Sequence, residues 1–340
     1  MRTSDFDFEL PEASIARRPA SARDASRLLV LPKGGELEHR GFAEIEALLR
    51  PGDVLVVNDS RVLPARLRAH KAGSGGKVEV LLVESEADDS SWIAMLGASK
   101  RVKAGGRLLL STGEAIEVLE ERGEGFYLLK LPRPGPELAH ALGELPLPPY
   151  LDRAADAQDG ERYQTVYAGE GRSVAAPTAG LHFTEALLER LAAIGVERHA
   201  VRLDVGPGTF MPVRSDELSE HRMHRERFEV SETTAAALER ARAEGRRVVA
   251  VGTTSMRVLE SFEGPVTPGA GSTDIFIKPG HVFRHVDAML TNFHLPKSTL
   301  LMLVAAFAGT ERILAAYREA VASGYRFYSY GDAMFLERAA

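Results

Sequence analysis

Short apolar runs and alternating stretches carry most of this chain, and helically spaced segments separate them. Leu28-Leu29-Val30-Leu31, Asp53-Val54-Leu55-Val56-Val57, Val248-Val249-Ala250-Val251 and Ala288-Met289-Leu290 read as buried strands, because nearly every position in them is apolar. Residues 201–205, 275–277 and 325–330 are expected to be strands too, and Asp5-Phe6-Asp7-Phe8-Glu9-Leu10 a sheet edge stopped by Pro11. A helix is expected over 42–49. Another is expected after Thr184 as its cap, with Leu187, Leu188, Leu191 and Ile194 on one side and Gly195 at its end. Ser231 caps a third that stops near Gly245, and a fourth is expected to follow Ser255. Residues 299–307 are apolar on nearly every side, which predicts a central helix, and 311–322 a further one.

Between 62 and 131 the texture changes to short alternating strands split by glycines, over 78–83, 91–96, 107–110, 114–119 and 126–131. Such close spacing predicts a small β-barrel or sandwich. Helix and strand alternation resumes afterwards, so the expected fold is a mixed α/β main domain, 1–61 and 150–340, interrupted by an inserted all-β barrel domain over 62–149. The Pro-rich run Leu145-Pro146-Leu147-Pro148-Pro149-Tyr150 stiffens the return to the main domain. Gly73-Ser74-Gly75-Gly76-Lys77 imitates a phosphate-binding loop, but Lys71 holds the first glycine position and Val78 follows the lysine, so a hairpin turn is expected. Residues 263–271 read as a Gly/Pro loop, and no internal repeat of solenoid length occurs.

Composition narrows the chemistry. Without cysteine, thiolate-ligated metals, iron–sulfur clusters, disulfides and cysteine nucleophiles are excluded, and a reducing, cytoplasmic setting is expected. No run approaches the roughly 18 to 20 apolar residues of a membrane-spanning helix, and the start lacks a targeting pattern. A formal charge of -6 argues against a general nucleic-acid coat but not against a local basic face. Arg61, Arg66, Arg68 and Lys71, then Lys100, Arg101, Lys103 and Arg107, form either a phosphate-binding surface or solvated β-turns.

Polar residues gather at the ends of the apolar runs, where α/β sheets hold their ligands. Asn58, Asp59, Ser60 and Arg61 follow one strand, and Gly252-Thr253-Thr254-Ser255, with Arg257 beyond, follow another. Ala175-Ala176-Pro177-Thr178-Ala179-Gly180-Leu181-His182-Phe183 puts a hydroxyl and an imidazole before a helix, where free N–H groups suit an anion, although a plain turn with a buried histidine has the same signature. His221 and His224 have the spacing of two metal ligands on a helix, but Pro212 opposes a helix there and no acidic partner completes a hydrolase motif, so no metal is expected. Neither a Gly-x-Ser-x-Gly elbow nor a Gly-x-Gly-x-x-Gly fingerprint occurs.

Ala176-Pro177-Thr178-Ala179-Gly180-Leu181-His182-Phe183, Val251-Gly252-Thr253-Thr254-Ser255, Thr291-Asn292-Phe293-His294-Leu295-Pro296 and Tyr330-Gly331-Asp332-Ala333-Met334-Phe335 together resemble the S-adenosylmethionine:tRNA ribosyltransferase-isomerases of queuosine biosynthesis. Asn58-Asp59-Ser60-Arg61-Val62-Leu63-Pro64-Ala65-Arg66-Leu67, Pro146-Leu147-Pro148-Pro149-Tyr150 and Tyr163-Gln164-Thr165-Val166-Tyr167 extend the likeness from Asp5 to Phe335.

That resemblance implies transfer and isomerisation of the ribosyl part of S-adenosylmethionine onto 7-aminomethyl-7-deazaguanine at the tRNA wobble position. The product would be epoxyqueuosine-tRNA, with adenine and methionine released. S-adenosylmethionine would be a cosubstrate, and the tRNA a partner, of a chain expected to be a monomer without metal or membrane. Such chemistry needs a base, an acid for adenine and an anion site for the methionine carboxylate. His182 or His294 would move protons, and Asp332 would bind the sulfonium or the adenine edge. Thr253, Thr254, Ser255 and Arg257 would hold the methionine part, with Thr178, Gly180 and Asn292 also binding substrate. Asn58, Arg61 and Arg66 would face the RNA or its modified base, while Lys100, Arg101 and Lys103 grip phosphates. Two other readings are a tRNA-binding protein without catalysis, indifferent to loss of His182 and His294, and a metal-dependent hydrolase built on His221 and His224.

Overall fold

A computed structural model describes residues 1–86, 88–210, 213 and 215–339. Its strands and helices follow in chain order. First come β1 (Arg27–Leu31), β2 (Glu38–Gly41) and β3 (Val54–Asn58). Six strands follow: β4 (Arg66–Lys71), β5 (Lys77–Ser85), β6 (Ser91–Ala98), β7 (Arg107–Leu110), β8 (Ala115–Gly123) and β9 (Phe126–Lys130). After α1 (Gly135–Leu142), α2 (Ala157–Arg162) and α3 (Glu185–Ala193) the chain resumes strand formation at β10 (Glu197–Leu203) and β11 (Glu226–Val230). The remainder is α4 (Glu232–Ala243), β12 (Val248–Val251), α5 (Gly252–Leu259), β13 (Gly269–Thr273), β14 (Ala288–Asn292), α6 (Thr299–Ala308), α7 (Thr310–Ala322) and β15 (Ala333–Glu337).

Nine strands form one sheet in the order β13-β11-β10-β3-β12-β14-β15-β1-β2, and the other six close into a barrel in the order β4-β5-β6-β9-β8-β7. The fold is therefore the α/β domain with an inserted all-β barrel that the alternation implied. Within the sheet β10, β3, β12 and β14 are mutually parallel, whereas β15 runs antiparallel to β14 and parallel to β1.

Alternation along the central strands divides their side chains between two cores. Val54, Val56, Ala250 and Met289 face the layer of α4, α5, α6 and α7. Leu55, Val57, Val249, Val251 and Leu290 face α3 and the turn carrying Phe42 and Ile45. Both faces being covered is the reason these strands read as unbroken apolar runs. Helix α6 is buried almost throughout, as its apolar circumference requires, and its cap is Ser298, whose Oγ accepts from Leu301 N at 3.2 Å. Among the described residues no single helix is long and apolar enough to cross a membrane.

The barrel has its own core around Trp92, Leu67, Val80 and Leu129, closed by Leu138 and Ala139 of α1. Gly135 opens that helix against the Trp92 indole, where a Cβ would stand 2.3 Å from the ring. The Gly-rich segment between β4 and β5 is the expected hairpin turn.

Several expectations are corrected. Asp5-Phe6-Asp7-Phe8 is no sheet edge: Thr3–Phe6 is a 3-10 turn with Thr3 and Phe6 turned inward. Residues 42–49 hold a 3-10 turn, Phe42–Ala47, because the buried pair Phe42 and Ile45 lies three residues apart, the period of that tighter helix. No strand forms over 275–277. The edge strand β13 instead lies in the Gly-rich stretch read as loop, which offers backbone hydrogen bonds to β11 but almost no apolar side chains. Residues 325–330 are not a strand either: Phe327 makes only an isolated bridge to Ile15, and Tyr328 is left-handed at φ 77°. Helix α5 begins at Gly252 itself, ahead of the hydroxyls expected to precede it.

Candidate active site

One cleft gathers residues from four separate motifs: Ala175 to Ala179, Gly252 to Thr254, Thr291 to His294 and Tyr328 with Ser329, with Val205 and Leu300 completing its wall. It opens beside the carboxyl ends of the parallel strands β12 and β14, where strand carbonyls end and helix N–H groups begin. Gly252, at φ 87°, turns the chain from β12 into α5 through a backbone geometry that a side chain resists.

Asn292, the last residue of β14, organises the floor. Its Nδ2 donates to the Tyr328 carbonyl and to His182 Nε2, each at 3.2 Å. A carbonyl can only accept, so the amide orientation is fixed and Nε2 of His182 must accept as well. The imidazole proton therefore sits on Nδ1, 2.7 Å from Ser26 Oγ, which accepts it. Phe42 stacks on the ring at 4.9 Å between centroids. With both nitrogens engaged and one face covered, His182 stands one layer behind the cleft wall. Burial, followed by the charges of Arg326 and Arg23, pushes its pKa down to about 3.

Asn292 Oδ1 and Thr254 Oγ1 are buried with no hydrogen-bond partner among the described residues, and both residues line the cleft. An unpartnered buried acceptor is costly unless a ligand supplies the missing group. These two atoms are the cleft's open valences.

His294 is the imidazole on the wall. Its Nε2 lies 2.9 Å from Thr291 Oγ1, and its backbone N–H donates to the Tyr317 hydroxyl at 3.0 Å. Burial alone brings its pKa down to about 3, so it too is neutral at physiological pH. Tyr328, also on the wall, combines a bulky side chain with a left-handed backbone and packs edge-on against Tyr150 at 3.8 Å between centroids. Such strain persists only where surrounding contacts impose it. Here Tyr328 N donates to the Phe293 carbonyl at 3.1 Å, and Gly331 N donates to the Tyr328 carbonyl at 2.9 Å.

Of the residues singled out in the sequence, Thr178, Thr253, Thr254, Asn292 and His294 line this cleft, and His182 supports it through Asn292. The others stand elsewhere. Asp332 accepts from the backbone N–H groups of Arg27 and Arg326 at 2.9 and 2.8 Å, one on each oxygen, and so ties β1 to the loop carrying Tyr328. Asn58 clamps β3 to β10 by donating to the Leu203 carbonyl and accepting from Leu203 N. Ser255 Oγ donates to the Val251 carbonyl one helical turn back. Gly180 lies where a Cβ would stand 2.0 Å from the Tyr167 hydroxyl, so its role is close packing. Arg61 donates to the carbonyls of Ala168 and Gly169, and Arg66 donates to the Leu147 carbonyl. Arg257 pairs with Glu226.

On the barrel, Arg101 is paired with Glu121, whereas Lys100 and Lys103 are exposed and have no ion-pair partner among the described residues. His221 and His224 face different rings, Phe276 and Phe126. Among the described residues no group of three or more histidines and carboxylates is arranged to hold a metal ion. Tyr328 and Ser329 were missed as cleft residues because their segment alternates like a strand; the only available signal was their position just before the Tyr330-Gly331-Asp332 motif.

Fold and site together define a class: an α/β protein with a barrel insertion and a cleft at the carboxyl edge of its parallel strands. The family described as queuosine biosynthesis protein matches residues 3–336, and the chain belongs to it. An S-adenosylmethionine:tRNA ribosyltransferase-isomerase of Anaeromyxobacter dehalogenans is 60% identical over 99% of this chain and 100% of its own length. One of Methylorubrum extorquens is 54% identical over 99% of this chain and 97% of its own. The crystal structure of the S-adenosylmethionine tRNA ribosyltransferase of Thermotoga maritima is similar at 38% identity, covering 98% of this chain and 99% of that one, with a TM-score of 0.57.

Proposed function

We propose that this enzyme is a ribosyltransferase-isomerase of queuosine biosynthesis. In this reading it moves and rearranges the ribosyl group of S-adenosylmethionine onto 7-aminomethyl-7-deazaguanine at the tRNA wobble position, giving epoxyqueuosine-tRNA, adenine and methionine. The observation that carries the proposal is end-to-end similarity, at 60% identity, to a relative named for the activity.

The cleft supports it chemically. The sulfonium acidifies the adjacent 5′ carbon, a base takes a proton, adenine leaves, the aminomethyl nitrogen attacks the rearranged sugar, and the bond from the 5′ carbon to sulfur breaks, releasing methionine as a sugar oxygen closes the epoxide. His294 is the group for proton transfer, being the neutral imidazole on the cleft wall. Burial weakens it as a base in the free protein, while negative charge developing beside it in the transition state acts in the opposite direction. Asn292 Oδ1 and Thr254 Oγ1 offer an acceptor and a hydroxyl to the polar edges of S-adenosylmethionine, with Thr178 and Thr253 beside them. His182 and Asp332 are positioning residues, acting through Asn292 and through the Tyr328 loop. Lys100 and Lys103 supply free charge for phosphates.

Incubation with S-adenosylmethionine and tRNA bearing the aminomethyl base, followed by mass spectrometry of the wobble nucleoside, tests the reading. Gain of the cyclopentane-epoxide group with free adenine is expected. Gain of a methyl group, or tRNA binding with no product, would overturn it.

A further inference from the structure

Three guanidiniums flank the cleft wall without a carboxylate to balance them. The segment 16–27 crosses behind that wall: Ala16 N donates to the Phe327 carbonyl at 3.1 Å, Ser26 holds His182, and Arg27 N donates to Asp332. Most of the charge along it is matched. Arg17 pairs with Glu12 at 2.6 Å, Arg18 with Asp156, and Arg153 nearby with Asp159 at 2.5 Å. Arg23, Arg162 and Arg326 differ, since among the described residues none of them has a carboxylate oxygen within 4.0 Å.

Backbone holds these three instead. Arg23 donates to the carbonyls of Leu181 and Glu161 at 3.3 and 2.8 Å, and Arg162 donates in return to those of Ser21 and Ala20 at 3.3 and 2.9 Å. Arg326 donates to the carbonyls of Arg18 and Tyr330. A carbonyl fixes the direction of a guanidinium but carries no net charge, so each arginine keeps its positive charge and further donors. All three are half-buried, and Nε of Arg162 is buried with no partner among the described residues. Burial first, and then the charge of Arg162, hold the Arg23 guanidinium below its ordinary pKa, against the pull of Glu161. Like charges held together in a partly desolvated place cost free energy until an anion joins them.

The arginines stand beside two parts of the cleft wall. Leu181, which accepts from Arg23, belongs to the turn Thr178–His182, and Thr178 and Ala179 of that turn line the cleft. Arg326 precedes the wall residue Tyr328 by two positions, and the charges of Arg326 and Arg23 both reach His182. Arg326 also lines an open groove with Arg17 and Arg18. An open row of cations suits the repeating charge of a nucleic-acid strand, whereas a small anion is best held in an enclosed pocket. On a chain of formal charge -6, an RNA strand depends on such local excess of positive charge.

We infer that Arg23, Arg162 and Arg326 bind the phosphodiester backbone of the RNA on one side of the base presented to the cleft, a contact separate from that of Lys100 and Lys103 on the barrel. The inference rests on the tRNA reading given above and assigns it a surface on the main domain. Phosphate contacts position a strand and do not read its bases, so this row sets how the wobble nucleotide is presented.

Binding of the full chain to tRNA bearing the aminomethyl base, measured by fluorescence anisotropy over a range of salt concentrations, tests it with Gln and Lys at each of the three positions. Each of Arg23→Gln, Arg162→Gln and Arg326→Gln should reduce the slope of log affinity against log salt by about 0.7 to 0.9, while the Lys variants, which keep the charge, retain the wild-type slope. Affinity for S-adenosylhomocysteine, measured by titration calorimetry, should stay within about twofold in all six. A second measurement is independent of how the variants fold: wild type is titrated with anticodon stem-loops carrying one uncharged methylphosphonate at each phosphate near the wobble position in turn. At least one such replacement should reproduce the loss of slope. Gln variants with the wild-type slope, Lys variants weakened as much as their Gln counterparts, or indifference to every methylphosphonate overturns the inference. Inorganic phosphate that raises the melting temperature of wild type but not of the Gln variants, with the RNA slope unchanged, would give the arginines to a small anion and likewise overturn it. Should wild type bind no tRNA at any salt concentration, the functional reading itself falls, and this surface with it.

Discussion

Two neutral, fully buried imidazoles give this protein a specific weakness in acid. In the unfolded chain a histidine titrates near 6.5, whereas His182 and His294 are held down to about 3 in the fold, in both cases chiefly by burial. Between those values the unfolded state binds protons that the folded state refuses, so stability falls as pH drops through 6.5 and continues falling towards 3. From pH 7.5 to 5.0 each histidine should remove about 2 kcal/mol, and the two together about 4 kcal/mol. The assay is urea denaturation at both pH values for wild type, His182→Gln, His294→Gln and the double variant. Glutamine is chosen because its side-chain oxygen falls near the Nε2 position, where it can accept from Asn292 or Thr291. The variants are expected to be less stable than wild type at pH 7.5, by about 1 to 3 kcal/mol each from lost ring packing and hydrogen bonds. The decisive quantity is the loss between pH 7.5 and 5.0, in which other titrating groups cancel between variants. It should shrink by about 2 kcal/mol for each histidine removed. If the double variant loses as much stability as wild type over that interval, these imidazoles are not held neutral by the fold and the argument fails.

Three further outcomes follow from the site. Asn292→Ala removes the unpartnered Oδ1, leaves His182 Nε2 without its donor and leaves the Tyr328 carbonyl with Gly331 N as its remaining donor, so kcat/KM should fall about 100-fold and stability by about 2 kcal/mol; steady-state kinetics and a denaturation curve measure the two losses, and unchanged kinetics would take Asn292 out of the substrate site. Asp332→Asn turns an amide group towards a backbone N–H, which should cost about 2 kcal/mol of stability while kcat at low temperature stays within about threefold. A thousandfold drop in kcat with unchanged stability would make Asp332 catalytic instead. Reversing Lys100 and Lys103 to Glu should weaken tRNA binding and reduce the slope of log affinity against log salt by about 1 to 2, with affinity for S-adenosylhomocysteine unaffected; an unchanged slope would move the RNA grip off the barrel.

The parts of the fold legible from the sequence were those whose side chains face apolar surroundings on both sides. Strands β1, β3, β12 and β14 announce themselves because both faces are covered, and α6 because it is buried all round. Strand β4 does not: only Leu67 and Ala69 point into the barrel, and the outward positions are arginine and histidine. The edge strand β13 is hidden by glycines, since backbone pairing to β11 holds it with little help from side chains.

For the site, sequence located the polar turns but could not tell which polar groups the fold would consume. Asn58 and Asn292 both end a central parallel strand. The difference lies in where the neighbouring backbone goes. Beside Asn58, β10 runs past with a free N–H and carbonyl at Leu203, and the amide satisfies both. Beside Asn292 the left-handed Tyr328 offers only its carbonyl, so the amide N–H groups are taken and the oxygen is not. The same contrast separates Ser255, turned back onto the Val251 carbonyl, from Thr254, one residue earlier in α5, whose hydroxyl finds no partner among the described residues. Left unpaired, such groups weaken the fold, so a ligand seated in the cleft would gain by completing the two that line it, Asn292 Oδ1 and Thr254 Oγ1. The substrate's polar edges would then supply the hydrogen bonds that the chain's own folding withholds, and binding should raise the stability of the native state in proportion to the logarithm of ligand concentration over its dissociation constant.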